Sequence, residues 1–280
     1  MRPIRTCENA QFSAGVSKCY LDMNKVKGAI LVPAGTKLLA EITGEALKKL
    51  CHASRSERIY PIFPFVEYAK NGGEAQVNDN GYGGAQSTGV SSRTDALTLD
   101  KFYPELNSSM LRCMNMKFDV YYWDEKYVLY GENDGTDILA GFPLSTIYPT
   151  GVPHPTSSGA ASLIANFAFA DARASMENLD FRKLDFNPAR FLIGLTTVQL
   201  VKADSSGNAY KLIEKTGGYD LTPTFGKLIS DSPNLISGVS AATYDEDSQT
   251  LTLTVTSGAT PKLKAPETLF EAGVEGIEQL

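Results

Sequence analysis

Histidine is nearly missing from this chain: His52 and His154 are the only two among 280 residues. Histidine changes charge near neutral pH and is the commonest metal ligand, so its scarcity narrows both acid–base and metal chemistry. Cysteine offers no replacement. Cys7, Cys19, Cys51 and Cys113 contain no Cys-x-x-Cys pair, which leaves a zinc cluster or a redox dithiol without its spacing. In a reducing compartment they read as buried thiols. A surplus of positive charge is lacking as well. With 32 acidic and 26 basic side chains the formal net charge is −6, whereas a tight nucleic-acid binder carries a basic surface to neutralise phosphates. No apolar run approaches the roughly 20 residues that span a bilayer. The opening Met1-Arg2-Pro3-Ile4-Arg5-Thr6-Cys7 lacks the apolar stretch of a signal peptide. The expectation is synthesis and folding in cytoplasm, with no membrane partner.

The motifs of catalysis are equally sparse. No Gly-x-Ser-x-Gly elbow, Ser-x-x-Lys or His-Glu-x-x-His occurs. Cys51 and His52 are the raw material of a thiol nucleophile, but neighbours on a helix point about 100° apart, so they read as a partly buried thiol and a surface histidine. His154 lies between Pro153 and Pro155 with no partner in sequence. Gly81-Tyr82-Gly83-Gly84 lacks the preceding strand and following helix of a phosphate loop. Glu132-Asn133-Asp134-Gly135-Thr136-Asp137 offers oxygen ligands but lacks the closing acid and flanking helices of a calcium loop, so it reads as a hairpin turn. Asp124-Glu125 and Asp245-Glu246-Asp247 read as solvated hairpin tips. The expectation is a non-enzyme with no catalytic, cofactor-binding or metal residues and no cofactor.

What is present is β-structure. Lys117 to Tyr130 is rich in strand formers, Phe118, Val120 and Tyr122 and then Tyr127 to Tyr130, on either side of the turn Trp123-Asp124-Glu125-Lys126, and predicts a hairpin. Phe191–Val201 with Ala209–Glu214 predicts a second, and 240–244 with 250–255 a third, in which Leu251, Leu253 and Val255 face a core and Thr250, Thr252 and Thr254 face water. Further strands are predicted over Ala29–Val32, Lys37–Leu39, Ile138–Leu144 and Ser162–Phe169, and an edge strand or an extended crossing segment over Arg58–Val66, where two prolines bar a central strand. Short helices are predicted from Thr43 to Ser54, up to Cys113, after Pro223 and over 266–272. The fold class expected is mainly β with a few short helices, an antiparallel β-sandwich or barrel. Residues 1–221 form its main domain, and 222–280 a small C-terminal β-hairpin element that packs on it or stands apart.

Two features point to assembly. Residues 69–92 hold Gly72, Gly73, Gly81, Gly83, Gly84 and Gly89 with Tyr82, and almost no apolar side chain. Such a run reads as a long flexible arm that orders on docking to a neighbour. The chain also has thirteen tyrosines, and tyrosine suits contact surfaces. Tyr121, Tyr122, Trp123 and Tyr127 concentrate in one hairpin. Because strand side chains alternate faces, one of Tyr121 and Tyr122 must meet solvent, another layer or another subunit, and the group is a candidate interface.

The segments Gly81-Tyr82-Gly83-Gly84-Ala85-Gln86-Ser87-Thr88-Gly89 and Arg93-Thr94-Asp95-Ala96-Leu97-Thr98-Leu99 resemble virion proteins of phages and prophages of gut Bacteroidales. So do Tyr130-Gly131-Glu132-Asn133-Asp134-Gly135 and Phe167-Ala168-Phe169-Ala170-Asp171-Ala172. The resemblance covers roughly residues 25–220, and the order of elements is similar to that of major tail (tail tube) proteins. It implies a virion protein whose partners are itself, in hexameric rings stacked into a tube, and other virion proteins. DNA would be non-specific passing cargo. A capsid or head–tail connector component is the alternative of the same class. A glycan- or host-surface-binding β-sandwich is the alternative of another.

Overall fold

The computed structural model describes residues 23–38, 40–79, 81, 83–152, 154–156, 159–203 and 207–280. The protein is mainly β, built from antiparallel sheets with five short α-helices among the described residues. It forms two units. One takes the chain up to Gly44 and residues 59–191; the other takes 45–58, with helix α1 (Gly44–His52), and 192–280. Cys7 and Cys19 lie outside the described residues.

The first unit holds β1 (Val26–Pro33), β2 (Tyr60–Ile62), β3 (Phe65–Gly72), β4 (Ala75–Asp79), β5 (Ala85–Val90), β6 (Arg93–Leu99), β7 (Phe118–Asp124), β8 (Val128–Glu132), β9 (Phe142–Pro149), β10 (Ile164–Phe169) and β11 (Leu179–Lys183). Helices α2 (Pro104–Cys113) and α3 (Ala172–Glu177) accompany them. Nine strands make one sheet in the order β11-β8-β7-β9-β10-β6-β3, with β1 joining β7 and β2 joining β1. One edge of β7 lies along β1; its other edge is shared, Tyr122 and Trp123 facing β8 and Asp119 and Val120 facing β9. The strands of this sheet share one core. Leu31, Leu97, Phe118, Val120, Tyr122, Phe142, Phe167 and Phe169 meet there.

Strand β7 is buried at every position. Its alternate side chains therefore face two layers, and no subunit is needed to cover the second. Tyr122 enters the core, while Tyr121, wholly buried, donates to the Leu139 carbonyl at 3.1 Å and accepts from the Leu38 N–H at 3.4 Å. Trp123 lies against the backbone of Gly28, where a Cβ would stand 2.2 Å from the indole Nε1. Asp124, read from sequence as a solvated tip, is fully buried instead. It builds the turn by accepting from the Lys126 and Val128 N–H groups at 2.8 and 2.9 Å and from the Tyr130 hydroxyl at 2.6 Å.

The second unit holds β12 (Thr196–Lys202), β13 (Ala209–Glu214), β14 (Ile236–Ser237), β15 (Val239–Asp245), β16 (Thr250–Val255), β17 (Lys262–Leu263) and β18 (Ile277–Glu278), with α4 (Thr222–Asp231) and α5 (Pro266–Glu271). The sheet order is β15-β16-β13-β12-β18, antiparallel except for β12 with β18. Its core joins Val198, Leu212, Ile229, Leu251, Leu253 and Leu269. This corrects the expected boundary after residue 221. Strand β13 pairs with β16, so 192–221 share a ladder and a core with the C-terminal hairpin.

Five further expectations change. Lys37 and Leu38 are not in a strand, and Leu39 lies outside the described residues. Strand β9 starts at Phe142 and β12 at Thr196, later than expected. Thr250 is buried, while Thr252 and Thr254 are exposed as the alternation predicts. Residues 69–92, expected as a flexible loop, are strand along most of their length.

Candidate assembly surface

Strands β3 and β6 pair from Phe65 opposite Leu99 to Gly72 opposite Arg93. Beyond that point the same two chain segments continue as a separate ribbon, β4 against β5, from Ala75 opposite Val90 to Asp79 opposite Ala85. Gly72 makes the passage. Its φ is +77°, and a Cβ there would stand 2.0 Å from the Ser92 carbonyl oxygen, so no other residue fits. Gly73 donates to the Ser92 carbonyl at 3.2 Å, and Ser91 donates to the Glu74 carbonyl at 2.9 Å, which keeps the two sides in register across the break. At the tip stand Gly81, Gly83 and Gly84, with the Gly81 N–H held by the Asp79 carboxylate at 3.0 Å. Gly89 sits in β5 at a bulge opposite Gln76 and Val77. Tyr82 lies outside the described residues.

The ribbon has no core. All of β4 and residues 85–88 of β5 are exposed, and neither hydrophobic cluster includes a residue between Gly73 and Ser92. An isolated two-stranded hairpin is marginal in water, and its outer edges carry backbone donors and acceptors ready to pair with another chain.

The root of the ribbon is the opposite. Arg93 makes a bidentate pair with Asp95 at 2.9 and 2.7 Å, and Asp95 is fully buried. The guanidinium also lies 4.0 Å over the Phe169 ring and donates to the Tyr68 hydroxyl at 3.1 Å. Tyr68 in turn donates to Asp95 at 2.8 Å and packs edge-on against Tyr122 at 5.7 Å. Burial acts to lower the Arg93 pKa, but the hydrogen bonds and charge of Asp95 outweigh it and the net direction is upward. Burial, with the Asp95 charge, raises that of the Tyr68 phenol. Arg93 stays charged, and its pair with Asp95 holds the base of the ribbon where β6 starts. Nothing in the sequence alternation announces this cluster; the Arg-x-Asp spacing on one strand face is its only trace.

The proposed aromatic interface does not survive. Tyr121, Tyr122 and Trp123 are buried within the first unit. Tyr127 is partly exposed and takes φ +63° in the β7–β8 turn. The cysteine–histidine pair is also placed. His52 is buried, not on the surface. Its Nδ1 bonds the Lys48 carbonyl at 2.8 Å, its Nε2 accepts from the Gly276 N–H at 2.9 Å, and its ring stacks on Phe270 at 4.7 Å. An acceptor Nε2 requires the neutral form, and burial lowers the His52 pKa in agreement. Burial pushes the Cys51 thiol up to about 11, far from a thiolate nucleophile at neutral pH. His154 is exposed.

Glu132 ends β8. Its Oε1 is buried without a hydrogen-bond partner, and burial, then the charges of Asp119 and Asp171, raises its carboxyl to about 7. Burial raises Asp119 too, against the Gly35 N–H donated to it at 2.7 Å. In the adjoining turn Asn133 accepts from the Gly135 N–H at 2.8 Å, and Asp134 pairs with Lys37. Among the described residues no group of three or more His, Cys, Asp and Glu could hold a metal ion. Among the described residues no helix is long and apolar enough to cross a membrane. Comparison of the sequence with protein-family models and with curated proteins finds no match.

Proposed function

We propose that this chain is a structural protein of a tailed-phage virion, the tail tube subunit, which assembles with copies of itself into stacked rings around a DNA channel. The ribbon carries the reading. A coreless pair of strands, projected from a buried ion-pair root, joins neither hydrophobic cluster of the described residues, and its open edges suit the addition of strands between subunits. The mainly β body supplies sheet edges for such joints, and a net charge of −6 suits a channel past which DNA slides. In this reading the partners are further copies, other virion proteins and DNA as passing cargo. The chain is made in the host cytoplasm and resides in the virion, and it performs no catalysis. The similarity of residues 81–89 and 93–99 to virion proteins of Bacteroidales phages adds to it.

The test is negative-stain electron microscopy of the purified protein beside light scattering over a concentration series. Rings or tubes of one diameter are expected. Closed shells would move the chain to the capsid, and a monodisperse monomer at every concentration that melts higher with a glycan would replace the proposal with a binding module.

A further inference from the structure

We propose that copies of this chain join head to tail through the second unit, the acidic tip of the β15–β16 hairpin of one copy entering a basic cavity on the next. This deepens the self-assembly reading and rests on it. The cavity, of about 420 Å³, opens between the end of α1 and the segments around β17 and β18. Arg55, Arg58, Lys262 and Lys264 line it, against Glu267 and Glu278. Arg58 and Glu278 pair at 2.8 Å and satisfy each other. Lys262 and Lys264 stand exposed on the rim and outnumber Glu267.

The tip is preorganised for such a site. The Asp245 carboxylate accepts from the Asp247 N–H at 2.9 Å, from the Ser248 N–H at 3.4 Å and from the Ser248 hydroxyl at 2.8 Å. That fixes the turn and leaves Glu246 and Asp247 exposed side by side. A rigid pair of carboxylates loses little conformational freedom on docking.

Placement favours a second copy as the occupant. Strand β14 pairs with β17, which bears Lys262, and runs through Gly238 into β15. At about 3.3 Å per residue, β15 carries the tip roughly 20 Å away from that end. Tip and cavity thus lie at opposite ends of one element and cannot meet within a chain. Between chains they meet with complementary charge. Each contact leaves a free tip and a free cavity, which is the heterologous arrangement that closes a ring or extends a filament.

The test is a charge exchange followed by sedimentation velocity of the full chain, with circular dichroism to verify folding. The K262E/K264E and E246K/D247K variants each place like charges at both surfaces. Each should need at least about tenfold more protein to assemble than the parent. Mixed one to one, every tip faces a cavity of opposite sign, and assembly should return. Single variants that assemble as readily as the parent overturn this contact while self-assembly stands. Loss in both variants without recovery in the mixture also overturns it, because the cavity then takes some other anion. A parent that stays monomeric at all concentrations overturns the contact and the function together.

Discussion

Excision of the ribbon separates its two assigned properties. Replacing residues 73–92 by Asn-Gly would join Gly72 to Arg93 through a two-residue turn, which the existing pairing of those residues accommodates. The stability cost follows from what the ribbon touches. Of its two valines Val77 is 56% exposed and Val90 half-buried, and neither hydrophobic cluster includes a residue between Gly73 and Ser92. The hydrophobic loss is therefore small, that of one half-buried valine. A two-stranded hairpin without a core is marginal in water, its backbone pairing roughly balancing the cost of ordering it. The net change should stay within about 1 kcal/mol, a Tm shift of roughly 2–4 °C for a protein of this size. Calorimetry reads the first quantity, and light scattering with electron microscopy reads the second. The expected product is folded and fails to assemble. A Tm loss of more than about 10 °C would refute the claim that the ribbon is coreless, and tubes formed as before would refute its role as a joint.

Three other predictions follow from particular side chains. Glu132 is protonated up to about pH 7 when folded and up to 4.5 when unfolded, so its contribution is full below pH 4.5 and is lost as pH rises through 7. After allowance for solvent screening of a half-buried group, Glu132→Gln should stabilise by on the order of 1–2 kcal/mol at pH 8 and by almost nothing at pH 4. Urea titrations at both values that show equal effects would contradict this. Arg93→Ala strands Asp95 in the core and should cost about 3–5 kcal/mol; the double variant Arg93→Met, Asp95→Leu should recover most of it, and additive losses in the cycle would refute the coupling. Gly28→Ala drives a methyl into the Trp123 indole and should cost about 1–3 kcal/mol, with the tryptophan fluorescence altered; an unchanged emission and midpoint would count against the packing.

Much of the fold was legible because local patterns and tertiary contacts agree. The third hairpin, with Leu251 and Leu253 inward, lies where the alternation places it. Helices α1, α2, α4 and α5 lie near the predicted segments. The failures have separate physical causes. Gly- and Ser-rich composition predicts a loop, yet at 75–90 backbone pairing needs no apolar side chain to form, only a register held by its root. A strand buried on both faces shows no alternation, so Tyr121 and Tyr122 looked like a surplus that needed a partner. Asp124 and His52 were read as surface groups because burial of a polar side chain depends on donors from distant or turn backbone, such as the Gly276 N–H. Helix α3 and strand β11 were missed, being short and polar; the Asp171 cap, which accepts from the Arg173 and Ala174 N–H groups, was the signal available.

The contrast between the ribbon and its root also divides what mutation can reach. A substitution in β6 disturbs packing and is removed by selection for folding alone. The side chains of β4 and of 85–88 are exposed, so folding restricts a substitution there far less. Under the proposed assembly, restraint on that stretch across related chains would come from the surface it pairs with. If that surface belongs to a neighbouring copy, changes in the ribbon should be matched by changes on the receiving edge of the same sequence, and the two would drift together while the body between them stays fixed.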